Sequence, residues 1–216
     1  MDPERLAALR SSYARAGVDE VDLATDPLRQ LRSWLADSVD AGLPEPNAIV
    51  VATADLAGRP SVRYVLLKGL DERGLVFYTN HGSAKAADLD ANPWASVLFP
   101  WHALERQVRV TGAVSRVSRE ESAAYFARRP RGSQVGAWAS RQTEVAASRA
   151  DLDASYAAYE ERWPEGTDVP LPDFWGGYRV AIETAEFWQG RHNRLHDRLR
   201  YRRCRDETWT VERLWP

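Results

Sequence analysis

A single cysteine, Cys204, stands in 216 residues, so neither an intramolecular disulfide nor a thiolate metal cage can form. Lysine is almost as scarce: Lys68 and Lys85 are the only two, and arginine makes up the rest of the 29 basic residues. No apolar run reaches the roughly 20 residues that span a bilayer, and the opening M-D-P-E-R lacks the features of a secretory leader. The G-x-G-x-x-G and G-K-[ST] loops that cradle nucleotide phosphates are missing, as are internal repeats and low-complexity tracts. A net charge of −2 argues against a generic polyanion binder. What remains is the expectation of a cytoplasmic protein with one domain over 1–216 and an ordinary core, 44% hydrophobic and 28% charged. Against so much arginine, the two lysines draw notice. Lysine supplies a compact, strongly hydrated point charge suited to a tight phosphate site.

Along the chain, residues 4–16 have helical composition ending at Gly17, with Arg10 and Tyr13 three apart on one face. Asp26-Pro27 reads as an N-cap followed by proline at the first helical position. The helix that follows carries Leu28, Leu31, Leu35 and Val39 as its apolar stripe and stops near Gly42. From Ala48 the texture changes to short apolar runs divided by tight turns: A-I-V-V-A-T-A, S-V-R-Y-V-L-L-K, L-V-F-Y-T, W-A-S-V-L-F-P-W and L-E-R-Q-V-R-V-T-G-A-V-S-R-V. Such spacing predicts an antiparallel sheet closing into a barrel, mainly β with peripheral helices. Helices are expected over 83–91, from the capping box Ser118–Glu121 to before Pro130, and over about 148–162. W-G-G-Y-R-V-A-I-E and D-E-T-W-T-V-E-R-L read as further strands.

Three constellations could carry chemistry. Ser83 and Lys85 at a helix N-terminus would offer a hydroxyl, backbone N–H groups and an ammonium to a phosphate; Arg63 and Lys68 bracket a strand nearby in sequence. An odd spacing places Arg63 and Lys68 on opposite faces of an ideal strand, so one must lie at its end or past a bulge to share a ligand. Tyr125 and Arg129, four apart on a helix, with Ser133 just beyond, form a second phosphate grip. The third is Glu186–Tyr201, E-F-W-Q-G-R-H-N-R-L-H-D-R-L-R-Y. If extended, it aligns Arg194, His196 and Arg198 on one face, with Leu195 and Leu199 on the other. That row suits an anion and proton handling. His192 and His196 do not suggest zinc, because the surrounding arginines repel a cation and H-E-x-x-H is absent. Nine tryptophans, Trp138, Trp175 and Trp188 among them, could pack a planar ring or simply a core.

These blocks, taken in order, resemble the pyridoxamine (pyridoxine) 5′-phosphate oxidase family. The likeness covers nearly the whole chain: D-P-L, V-L-L-K-G-L-D-E-R-G-L-V-F-Y-T-N, G-S-A-K, L-F-P-W-H-A-L-E-R-Q-V, Y-F-A-R-R-P-R-G-S-Q-V-G-A-W, F-W-G-G-Y-R-V, E-F-W-Q-G, R-L-H-D-R and a terminal E-R-L-x-P. The resemblance implies a split β-barrel of the FMN-binding type, a Greek-key barrel, with an N-terminal helical arm over 1–25 and a C-terminal dimerisation and substrate segment over about 174–216. It implies a homodimer with FMN at the interface. FMN would be held by Arg63, Lys68, Tyr78, Thr79, Ser83, Lys85, Gln107, Gln142, Thr143, Trp188 and Arg198. Lys68, Tyr125, Arg129 and Ser133 would hold the substrate phosphate, Arg194 and His196 would face the pyridine ring as the catalytic pair, and Arg10 with Tyr13 would cover the bound substrate. Two positions depart from the family's pattern: Ala84 where arginine is frequent, which puts one FMN phosphate contact in doubt, and Thr143 where serine is common.

The implied reaction is oxidation of pyridoxamine or pyridoxine 5′-phosphate by dioxygen to pyridoxal 5′-phosphate, with hydrogen peroxide and, from the amine, ammonia. Competing readings are a related split-barrel flavoprotein acting on a phenazine precursor or reducing through a deazaflavin, a non-catalytic flavin store, and an RNA-binding protein using residues 191–205. The acidic remainder of the chain and Asp197 within the basic stretch argue against nucleic acid. Neither a membrane nor a metal is expected.

Overall fold

The computed structural model describes residues 2–8, 13 and 17–216. Among these are ten strands: β1 (Ala48–Ala54), β2 (Pro60–Leu66), β3 (Gly69–Asp71), β4 (Gly74–Asn80), β5 (Trp94–Phe99), β6 (Arg106–Arg116), β7 (Trp175–Val180), β8 (Thr184–Gln189), β9 (Asp197–Arg203) and β10 (Trp209–Arg213). There are also six α-helices: α1 (Pro3–Ala8), α2 (Pro27–Asp40), α3 (Ala84–Ala91), α4 (Arg119–Phe126), α5 (Arg131–Ala139) and α6 (Arg149–Arg162). The expected class, mainly antiparallel β with peripheral helices, is the one observed.

The chain forms two compact units, the first made of 1–50, 97–111 and 182–216, the second of 51–96 and 112–181. In the first, β6, β8, β9 and β10 pair antiparallel in that order. Alternate residues Val108, Val110, Phe187, Leu199 and Tyr201 are fully buried. Each such large apolar side chain contributes roughly 1.5–3 kcal/mol. Helix α2 starts as expected, with the Asp26 carboxylate accepting the Arg29 N–H at 2.9 Å. Its buried face differs from the expected leucine stripe: Gln30, Leu31, Trp34 and Ser38 are buried, whereas Val39 is 56% exposed. The Trp34 indole meets the Phe187 ring edge-on at 5.2 Å, and burying that large aromatic turns the helix about its axis. The polar neighbours are satisfied, Gln30 accepting the Ala24 N–H and Ser38 donating to the Trp34 carbonyl.

In the second unit β3 and β7 flank β4, and β7 also pairs with the end of β6, all antiparallel. Helices α4 and α6 begin at Ser118 and Ser148, whose hydroxyls accept from Glu121 and Asp151 N–H groups. Helix α5 is not among the helices expected from the sequence, and Gly132 and Gly136 lower its propensity. It forms because Val135 and Ala137 are buried with Phe126, Val169 and Trp175 in one apolar cluster, to which Tyr156, Tyr159 and Trp163 add. The Arg131 guanidinium fastens its first turn to the Trp163, Pro164 and Thr167 carbonyls. At the N-terminus the expected helix over 4–16 is described only as Pro3–Ala8; Tyr13 is not helical, and Arg10 lies outside the described residues.

Candidate active site

The second unit bears an open cavity of about 800 Å³ walled by β2, β4, α3, α5 and the turn around Gln142. Of the expected residues, Arg63, Lys68, Tyr78, Thr79, Lys85, Tyr125, Arg129, Ser133, Gln142 and Thr143 all line it. Arg63 lies within β2 and Lys68 two residues past its end, which meets the condition set by their odd spacing.

Lys85 is the buried cation of this wall. Its ammonium donates to Gln142 Oε1 at 2.8 Å, Thr79 Oγ1 at 3.0 Å and Ser83 Oγ at 3.3 Å, all neutral oxygens. Burial, and secondarily the Arg63 charge, push its pKa down to about 8. Ser83 stands behind the lysine rather than on the wall: its buried hydroxyl donates to the Asn80 carbonyl at 2.7 Å. The first N–H of α3, on Ala84, donates to Thr143 Oγ1 at 2.8 Å, and Thr143 takes a left-handed backbone, φ +79°, to place that hydroxyl. Arg63 is lowered by burial, with Asp88 opposing, and its guanidinium bonds Val51 O at 3.1 Å and Thr53 Oγ1 at 2.8 Å. Asp88 organises this corner by accepting from Thr53 and Ser61 hydroxyls. Nothing in the sequence distinguishes it from any other acid on a helix.

The second grip is built differently from the expected helical face. Helix α4 ends at Phe126, and Arg129 lies in the following turn. Pro130 prevents the helix from continuing. The pair still meets, because aromatic rings hold it. Tyr78 stacks on Tyr125 at 4.1 Å and on Trp175 at 5.4 Å, and the Arg129 guanidinium lies 4.6 Å from the Trp175 ring centroid. Gly177, paired with Tyr78 across β4 and β7, makes the stack possible, since a Cβ there would fall 2.8 Å from Tyr78 Cε1. Arg129 is lowered by burial, and its buried Nη1 has no hydrogen-bond partner. An unpaired guanidinium nitrogen in a cavity wall calls for an anion.

In the first unit, Gln107, Trp188 and Arg198 face each other directly in register across β6, β8 and β9 and so share one face. Arg198 donates to Glu186 Oε1 at 2.7 Å and to the Trp215 carbonyl at 3.0 Å. The extended row of Arg194, His196 and Arg198 is not found. Residues 192–194 form a 3-10 turn, Asn193 and Arg194 have positive φ, and only Arg198 lies in β9. Leu195 and Leu199, expected to share a face, differ: Leu195 is 67% exposed, whereas Leu199 is buried. A single fixed contact sets the histidine instead: the Arg191 N–H donates to His196 Nδ1 at 3.1 Å. The ring packs 4.6 Å from Trp188 and 5.6 Å from Tyr13. Burial, and then the Arg194 charge, lower the His196 pKa, with Asp197 opposing. At neutral pH the imidazole is therefore uncharged, with its proton on Nε2 and Nδ1 accepting. Trp138, by contrast, packs with Tyr159 and Trp163 and donates to the Pro170 carbonyl, a core role.

Residues 35–161 match the family model described as pyridoxamine 5′-phosphate oxidase, and 175–216 match the one described as the pyridoxine 5′-phosphate oxidase C-terminal dimerisation region. The chain belongs to the pyridoxamine 5′-phosphate oxidase family. Family relatives named pyridoxine/pyridoxamine 5′-phosphate oxidase include one from Rubrobacter xylanophilus, 58% identical over 98% of this chain and 96% of that one. Another, from Streptomyces avermitilis, is 56% identical over 97% and 96%. Among solved structures, PhzG from Burkholderia lata, in complex with tetrahydrophenazine-1-carboxylic acid, superposes with a TM-score of 0.88 at 30% identity, over 95% of this chain and 100% of that one. A pyridoxamine 5′-phosphate oxidase-related, FMN-binding protein from Nostoc punctiforme shares the split-barrel fold, with a TM-score of 0.71 at 18% identity over 90% and 100%. Among the described residues, no helix is long and apolar enough to cross a membrane.

Proposed function

We propose that the protein binds FMN and oxidises pyridoxamine and pyridoxine 5′-phosphate to pyridoxal 5′-phosphate, using dioxygen as the final acceptor. The observation that carries this reading is the wall of the cavity, where Lys85 is a buried cation facing only neutral oxygens and Arg129 keeps a buried Nη1 with no hydrogen-bond partner. Two desolvated cations without carboxylates suit two phosphate monoesters, one on the cofactor and one on the substrate.

The residues fit the flavin. Lys85, Thr79, Gln142 and Arg63 of the second unit would hold its phosphate side; Gln107, Trp188 and Arg198, aligned on one face within the first unit, are the further contacts that membership of the family implies. Bound FMN supplies the hydride acceptor, which dioxygen reoxidises with formation of hydrogen peroxide. Arg129, Tyr125, Ser133 and Lys68 would hold the substrate phosphate, fixing the pyridine ring by its far end. Because Nδ1 of His196 is occupied by the Arg191 N–H, its Nε2–H is the atom left to donate to a ring oxygen of the substrate. That makes His196 an orienting donor rather than a proton acceptor. Arg194, exposed and two residues before it, would offset charge on the same oxygen. A homodimer is part of the proposal: residues 175–216 match the dimerisation region, and Val62, Tyr64 and Leu66 of β2 turn an exposed apolar face outward.

The likeness to PhzG supports a second reading, oxidation of a phenazine precursor. The test is direct. The purified protein should show flavin absorbance and consume oxygen with pyridoxamine or pyridoxine 5′-phosphate, releasing pyridoxal 5′-phosphate. Turnover of tetrahydrophenazine-1-carboxylic acid but of neither phosphate would overturn the proposal.

A further inference from the structure

Asp197 is the only carboxylate among residues 191–205, and the proposed reaction assigns it nothing. It is 8% exposed and fully engaged. One oxygen pairs with Arg213 Nη1 at 2.8 Å; the other lies 3.3 Å from Arg191 Nε and accepts the Val18 N–H at 3.1 Å. Arg213 reaches on to Asp19 at 2.9 Å and Glu20 at 2.8 Å. The segment 18–20 is thereby tied to β9 and β10 through one buried carboxylate and one guanidinium.

Close approach of the backbone completes the tie. A Cβ on Gly17 would fall 2.6 Å from Asp197 Oδ2 and 2.5 Å from Arg191 Cζ, so residue 17 rests directly on the ion pair. A second glycine, Gly190, admits the Tyr13 ring, since a Cβ there would lie 2.7 Å from Tyr13 Cγ. Tyr13 in turn meets Trp188 edge-on at 5.7 Å and His196 at 5.6 Å. Arg191 joins the two ends. Its backbone N–H holds His196 Nδ1 while its side chain pairs with Asp197.

We propose that Asp197 is a positioning residue. By gathering Arg191, Arg213 and the Val18 N–H, it anchors residues 18–20 and, through the Arg191 backbone N–H, holds the His196 ring against Trp188 and Tyr13. The proposal rests on the reading that His196 faces the substrate. Without the carboxylate, Arg191 and Arg213 would repel each other and the Val18 N–H would lose its acceptor.

Two variants test it. Asp197→Asn keeps an acceptor for Val18 but removes the charge, and Gly17→Ala leaves Asp197 intact while driving a methyl group into the ion pair. In FMN-loaded protein, hydrogen exchange over residues 17–22 should quicken about tenfold in both, with β8 and β9 unchanged. KM for pyridoxamine 5′-phosphate should rise about tenfold with kcat within about twofold, and the double variant should be no worse than the poorer single one. Wild-type exchange over 17–22 in both variants would overturn the proposal, as would uniform loosening of every peptide, which marks a residue that only stabilises the fold. If wild-type protein turns over neither phosphate, the proposed reaction fails, while the exchange data still decide whether Asp197 seats the segment.

Discussion

Residues 191–205 carry seven arginines, and the structure gives most of this basic stretch carboxylate partners. Arg191 pairs with Asp197, Arg198 with Glu186, Arg200 and Arg202 with Glu212, and Arg203 with Glu207. The cavity of the second unit holds fewer cations, and they are matched far less well. Lys85 has only neutral acceptors, Arg129 Nη1 has none, and the carboxylate paired with Arg63, Asp88, is 3.8 Å away. Cation density along a sequence is thus a poor guide to anion affinity. What attracts an anion is positive charge that has lost its water and found no partner.

The sharpest way to break this comparison is to remove the best-buried unmatched cation. Lys85→Ala should weaken FMN binding about 100-fold, the scale of a lost charge-assisted contact to a phosphate, while turnover at saturating FMN stays near wild type. Quenching of flavin fluorescence on titration measures the first, and oxygen uptake the second. An unchanged FMN affinity would mean that this corner is not the phosphate site. Arg129→Ala should act on the other ligand, raising KM for either phosphorylated substrate about 30-fold without altering FMN affinity. If both variants moved the same constant, the division into two grips would be wrong.

A smaller effect is expected from pH. The Lys85 pKa is pushed down from 10.5 to about 8 by burial and by Arg63. Only the protonated ammonium attracts phosphate, so FMN affinity should be full below pH 8 and decline as pH rises through it, by about tenfold at pH 9. Bound phosphate favours the charged form and raises the lysine pKa in the complex, so the decline starts near pH 8 and levels off only above that raised value. Lys85→Arg should flatten the profile even if it binds less well, because a guanidinium stays charged throughout. A decline that persisted in that variant would point to another titrating group.

Much of this contrast was legible in the sequence. The two lysines and the Tyr125, Arg129 and Ser133 grouping, singled out from the sequence, all line one cavity. Local patterns failed where tertiary contacts decide. Arg129 reaches the site from a turn because Trp175 and Tyr78 hold it, not because it shares a helical face with Tyr125. Helix α5 defies its glycines because Val135 and Ala137 are buried. A period of two suggested an extended row from Arg194 to Arg198, but the positive φ of Asn193 and Arg194 breaks it, and no local signal announces that break. Asp88 and Asp197 were invisible as organisers because an acid shows its importance only through the partners that surround it.

The smallest effect is expected where the sequence is most basic. Arg200 and Arg202 share Glu212, at 2.6 and 3.2 Å, on the partly exposed side of β9 and β10. They hold the Glu212 carboxyl below its usual range, Arg200 first and Arg202 next. Because its folded pKa is depressed, Glu212 adds stability above the unfolded value of about 4.3, lost as pH falls through the folded one. In solvent this coupling is well screened, and either arginine can serve the carboxylate alone. Arg200→Gln and Arg202→Gln should therefore shift Tm by no more than about 2 °C at pH 7, with FMN affinity and KM within about twofold of wild type. A tenfold loss of FMN affinity in either variant would show that a matched, hydrated arginine contributes to anion binding after all, and the distinction between the two regions would then reduce to distance from the ligand.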